Sequence, residues 1–79
     1  MTVNKLTREL RNKGYEVNRY TYSTFRCFTE KTLIEFKKNG KTVIDIDEVG
    51  SGKYKIVFIH RDFAKEMDEM GLKVGTILK

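Results

Sequence analysis

The chain has 79 residues, 39% hydrophobic and 34% charged, with four tyrosines, five phenylalanines and a formal net charge of +5. A chain this short buries only about 60 to 65% of the surface it exposes when unfolded, which sets one domain (1–79) and argues against a buried cofactor pocket, so no cofactor or metal is expected. No apolar run reaches the roughly 18 residues of a membrane-spanning helix, the segment Met1-Thr2-Val3-Asn4-Lys5 lacks a signal-peptide hydrophobic region, and the lone Cys27 has no internal disulfide partner, so a reducing, cytoplasmic setting without membrane contact is expected.

The charge is uneven. Residues 1–44 hold ten Lys/Arg and four Glu, whereas residues 45–79 hold six Lys/Arg and seven Asp/Glu. Such asymmetry points to an anionic partner, either nucleic acid or an acidic protein face, although a lysine-rich surface also serves solubility.

In chain order, Val3, Leu6 and Leu10 form one apolar stripe that predicts a helix from about Val3 to Lys13. Thr2 or Asn4 can cap it, Gly14 stands where a left-handed residue would stop it, and Tyr15 can pack back on the last turn. Tyr15 to Tyr22 predicts a strand whose alternation slips near Arg19 and Tyr20. The stretch Phe25-Arg26-Cys27-Phe28-Thr29-Glu30 reads as a second strand or an aromatic loop.

Thr32–Lys37 and Lys41–Asp47 flank Lys38-Asn39-Gly40, a strong hairpin signal. A two-residue Asn39-Gly40 loop in a regular ladder would set Ile34 against Asp45. A turn over Lys38-Asn39, with Gly40 as a left-handed bulge residue, instead pairs Phe36 with Thr42, Ile34 with Ile44 and Thr32 with Ile46, and this register is preferred. Leu33, Glu35, Lys37, Val43, Asp45 and Asp47 then share the wet face. A glycine-rich connection, Glu48 to Gly52, leads to a strand from Lys53 to Ile59. Asp62 can cap a short helix over Phe63 to Met70, Gly71 stops it, and the tail Leu72 to Leu78 reads as a short edge strand.

The expected fold is therefore α+β: an antiparallel sheet of three to four strands, with an N-terminal and a C-terminal helix packed on one face in α-β-β-β-α order, and a short C-terminal edge strand. The expected core is Leu6, Leu10, Ile34, Phe36, Ile44, Ile46, Ile56, Phe58, Phe63 and Met67.

Each catalytic pattern in the chain lacks a necessary part. Glu35-Phe36-Lys37 has the Glu-x-Lys spacing of metal-dependent nucleases but no upstream aspartate, and Asp45-Ile46-Asp47-Glu48 offers too few oxygen ligands for a hard cation. Gly50-Ser51-Gly52-Lys53 has neither the first glycine of a phosphate-binding loop nor a Ser or Thr after the lysine. His60 is a lone imidazole with no spaced nucleophile. No enzymatic activity is expected.

Interleaved arginines and aromatics remain. Arg19, Tyr20, Tyr22, Phe25, Arg26 and Lys31 can stack on bases while neutralising phosphates, and the same chemistry makes hot spots between proteins. Arg8 and Arg11 on the first helix extend the positive surface. These eight residues form the candidate partner-binding or nucleic-acid-binding site.

Leu6-Thr7-Arg8-Glu9-Leu10-Arg11-Asn12-Lys13-Gly14-Tyr15-Glu16-Val17 resembles the opening helix and strand of a Listeria prophage anti-CRISPR family, whose members block a CRISPR nuclease at the site where it reads target DNA. The resemblance covers 12 of 79 residues and implies a small phage-encoded inhibitor, although that family is acidic where this chain is basic. The helix-strand-helix order with Gly14-Tyr15 after the first helix is also similar to the HicA family of small ribonuclease toxins. Their early Gly-Ser-His segment is here Tyr22-Ser23-Thr24-Phe25, so their catalytic histidine is missing. The expected function is a non-enzymatic binding protein that modulates or inhibits a host protein or protein–nucleic-acid complex, with direct DNA or RNA binding as the alternative and a homodimer as an open form.

Overall fold

The computed structural model describes residues 1–23, 30–50 and 52–79. Its elements run α1 (Val3–Asn12), β1 (Glu16–Ser23), β2 (Glu30–Lys38), β3 (Lys41–Gly50), β4 (Lys53–Ile59), a 3-10 turn (Arg61–Phe63), α2 (Ala64–Glu69) and β5 (Ile77–Leu78). The α+β class is as expected. Among the described residues four strands, not three, separate the two helices, so the α-β-β-β-α order is not matched; β5 is the expected short C-terminal edge strand and makes five in all, and the second helix is only six residues long. The segment Phe25 to Phe28 lies outside the described residues.

Local chemistry accounts for α1 at both ends. Thr2 Oγ1 accepts the Lys5 backbone N–H at 3.1 Å, so Thr2 and not Asn4 is the cap. At the other end Gly14, at φ 90°, donates its N–H to Arg11, and Tyr15 donates to Leu10, both at 3.0 Å. That pair of bonds is the Schellman arrangement, which needs a left-handed residue where Gly14 stands. Gly71 and Leu72 repeat it behind α2 by donating to Asp68 and Met67, both at 2.9 Å. In each case the residue after the glycine, Tyr15 or Leu72, is buried. The 3-10 turn before α2 is capped by His60, whose Nδ1 accepts the Asp62 N–H at 3.1 Å, where Asp62 was the expected cap.

The five strands form one antiparallel sheet in chain order, β1-β2-β3-β4-β5. The β2–β3 hairpin differs from the expected register. Asn39 at φ 54° and Gly40 at φ 77° make a two-residue turn with Lys38 opposite Lys41 and Lys37 opposite Thr42, the type I′ signature. The ladder then slips by one residue between Phe36 and Lys37, leaving Val43 as a bulge, so that Phe36 faces Ile44 and Ile34 faces Ile46. Moving the bulge out of the turn and into the strand keeps Asp45 opposite Glu35 on the wet face. It also turns Val43 inward, where it is buried and not wet as expected.

A second slip, on β4, overturns one core assignment. Asp45 pairs with Phe58 and Ile46 with Ile56, which leaves Val57 extra and reverses the alternation past it. Ile56 and Ile59 therefore share the core face, whereas Phe58 points out and is 41% exposed. The core itself lies between α1 and one sheet face: Val3, Leu6 and Leu10 meet Ile34, Phe36, Val43, Ile44, Ile46 and Ile56, with Met67, Leu72 and Leu78 closing the end. Phe63 packs at its margin. The Val3 N–H donates to the Lys79 carbonyl at 2.8 Å, which fixes the start of α1 beside the end of the chain.

Among the described residues no helix is long and apolar enough to cross a membrane.

Candidate functional site

Directly opposed residues in an antiparallel ladder share a sheet face, so the pairing sorts the candidate residues. Opposite the core, the uncovered face carries four rows among the described residues: Glu16, Lys37 and Thr42; then Asn18, Glu35, Asp45 and Phe58; then Tyr20, Leu33, Asp47, Lys55 and Ile77; then Tyr22 with Lys31. Arg19 pairs with Ile34 and belongs to the other face. The arginine and tyrosines that alternate along β1 are thereby separated by the thickness of the sheet. Phe25 and Arg26 lie outside the described residues.

The uncovered face holds its tyrosines in place. Tyr22 Oη–H donates to Asp47 Oδ1 at 2.6 Å, and because Tyr22 is on β1 and Asp47 on β3, the ring reaches across β2. Tyr20 Oη–H donates to Glu35 Oε1 at 3.3 Å, while Thr42 Oγ1–H donates to Glu35 Oε2 at 2.7 Å. The hydrogen bond to Asp47 raises the Tyr22 phenol above its ordinary pKa, and the charge of Glu35 does the same for Tyr20. Asp45 sits half-buried between Glu35 and Phe58, and desolvation followed by the Glu35 charge raises its carboxyl. Around these anchored groups Tyr20, Tyr22, Phe58 and Ile77 expose large apolar surface. Despite its carboxylates, no three His, Cys, Asp or Glu among the described residues are placed to hold a metal ion.

The arginines collect on the other side. Arg8 and Arg11 of α1 and Arg19 of β1 line one groove with Asn4, Thr7 and Asn12, with a volume of ≈ 420 Å³. A larger concavity of ≈ 520 Å³ lies by α2 and the tail, lined by Ile59, Ala64, Lys65, Asp68, Leu72, Lys73 and Val74. Its Lys73 and Asp68 already pair at 3.5 Å, which leaves Lys65 as the other charged side chain in its described lining.

No family model, curated protein or solved structure matches the chain.

The eight candidate residues thus divide into a basic group (Arg8, Arg11, Arg19), an anchored-aromatic group with its neighbour (Tyr20, Tyr22, Lys31) and two outside the described residues. Phe58 and Ile77 on the uncovered face, and Asn4 and Asn12 in the groove, were not among them. The slip expected near Arg19 and Tyr20 is not there: β1 pairs with β2 without a break, and that regular alternation separates Arg19 from Tyr20 and Tyr22. Nothing comparable marks Phe58, which depends on the Val57 bulge.

His60 joins neither surface. Its ring stands edge-on to Phe58 at 6.5 Å and to Phe63 at 6.0 Å, and its Nδ1 serves the turn, so it acts as a packing and capping residue.

Proposed function

We propose that the chain is a non-enzymatic binding protein that docks a protein partner on its uncovered sheet face, modulating or inhibiting that partner. The observation that carries this reading is the set of exposed side chains Tyr20, Tyr22 and Phe58, two of them locked by hydrogen bonds to Glu35 and Asp47. Tyrosines restrained before binding lose little conformational freedom on contact, and aromatic anchors beside polar groups are the composition of protein–protein hot spots. Glu35, Asp45 and Asp47 at the centre of the face repel phosphates, which favours a protein over nucleic acid on this side. The likeness to the prophage inhibitor family covers α1 and the start of β1, which are mostly scaffold here, so the partner's identity is not taken from it.

The test is a pull-down of the tagged protein from nuclease-treated host lysate, run beside two variants. The parent and an Arg8→Gln/Arg11→Gln/Arg19→Gln variant should retain one stoichiometric protein that Tyr20→Glu/Phe58→Glu loses. Retention of no protein by the parent, or equal retention by the face variant, would overturn the reading.

A further inference from the structure

The flank of α1 beside β1 carries Asn4, Arg8, Arg11 and Asn12, a spacing of i, i+4, i+7 and i+8 that aligns them along the helix. Arg19 of β1 completes a groove whose six lining residues are all polar, three of them arginines and none of them acidic. Among the described residues no carboxylate oxygen lies within 4.0 Å of any of the three guanidinium groups, the ion pairs being Lys41–Asp62, His60–Asp62 and Lys73–Asp68. Three positive charges are therefore held on two packed elements without internal compensation.

We propose that this groove binds the phosphodiester backbone of a nucleic acid. Guanidinium forks match phosphate oxygens and carry donors only, and the Asn4 and Asn12 amides add donors at both ends of the row. Asn4 and Asn12 are separated by eight residues of α1, about 12 Å at the helical rise. Successive phosphates along one strand of duplex advance by about 3.4 Å along the axis, so the row covers about three such steps, enough to engage all three arginines. Among the described residues no aromatic side chain lines it, so it offers bases no stacking platform and the backbone is the contact proposed. The site is on the opposite side of the sheet from the anchored tyrosines and does not depend on the protein-docking reading.

The experiment is fluorescence anisotropy with labelled duplex DNA, single-stranded DNA and RNA over a salt series, using the full chain. Binding at low salt should weaken as salt rises, and on duplex DNA each arginine replaced by glutamine should flatten the log–log slope by about 0.9. The triple Arg8→Gln/Arg11→Gln/Arg19→Gln variant should bind at least tenfold more weakly. The triple Arg→Lys variant, which keeps the charges, should retain the slope, and Lys55→Gln on the uncovered face should keep the groove's share of it. All three arginines are exposed, so these changes leave the core intact. No anisotropy change with any of the nucleic acids at low salt would overturn the proposal, as would undiminished binding by the glutamine variant or equally tight binding of a poly-glutamate peptide.

Discussion

Val43 and Val57 are the same residue type at the same kind of defect, one extra residue in a strand, yet Val43 is fully buried and Val57 is 43% exposed. Truncating each to alanine isolates what the bulge does. At Val43 two buried methyl groups are lost, each worth about 0.8 kcal/mol, and incomplete collapse of the cavity adds to that, giving roughly 1.5–2.5 kcal/mol. For a domain of this length, 1 kcal/mol moves the melting midpoint by about 4–8 °C, so Val43→Ala should melt roughly 6–20 °C lower. Val57→Ala, which uncovers nothing, should stay within about 0.5 kcal/mol of the parent. Asn39 supplies an independent arm: its positive φ costs a side chain with Cβ about 1 kcal/mol unless it is asparagine or glycine, so Asn39→Ala should be destabilising and Asn39→Gly nearly neutral. A three-residue loop would put position 39 in the right-handed region and Val43 in water. Thermal melts and urea titrations at unchanged m-value measure all four variants. If Val43→Ala and Asn39→Ala both melt with the parent, the two-residue turn and its displaced bulge are wrong.

Four further outcomes follow from individual side chains. The Tyr15 hydroxyl is buried and makes no hydrogen bond of good geometry among the described residues, although burial and then the nearby Glu66 raise its pKa, so Tyr15→Phe should be neutral or stabilising by up to about 1 kcal/mol in urea titration; a clear loss would mean that the hydroxyl is bonded to Glu66 in solution. Asp45 has a raised carboxyl in the fold, so its favourable contribution is present below its unfolded pKa and lost as pH rises through the folded one; Asp45→Asn should raise the melting midpoint at neutral pH, a gain that fades below about pH 4. The Tyr22 phenol, raised chiefly by its bond to Asp47, should ionise later than a free tyrosine in alkaline absorbance titration, and Asp47→Asn should bring it back; the bond's contribution is full below about pH 10 and is lost as pH climbs through the folded value. Thr2→Ala removes the cap of α1 and should cost about 1 kcal/mol in the same titration.

Where a structural choice is made by a few neighbouring residues, the sequence carried it. Leu6, Leu10 and Gly14 fix α1 and its stop, and Asn39-Gly40 places the hairpin. Ile34, Phe36, Ile44 and Ile46 were assigned to one face, and they share it. The bulges were hidden because each is a compromise between strands: Val43 and Val57 become extra residues only when Asp45 must stay outside and both Ile56 and Ile59 must go in. The basic groove was legible in half. Helical spacing aligns Arg8 with Arg11, but Arg19 joins them only through the way α1 lies along β1. The tyrosine anchors were not legible, since Tyr22 reaches Asp47 25 residues away across an intervening strand.

The order of strands in the sheet repeats their order in the chain, and this bears on how the fold is reached. Each of the three long hairpins closes through the connection between sequence neighbours, so the entropy of loop closure is met in small steps and pairing can propagate like a zipper. The longest loop is the one closed by the bond between Val3 and Lys79, and its closure entropy is the largest that the fold must meet. In such a meander the pairing of the four long strands stays between sequence neighbours, and the contacts that span the greatest lengths of chain are those that seat α1 on the sheet and Val3 beside Lys79.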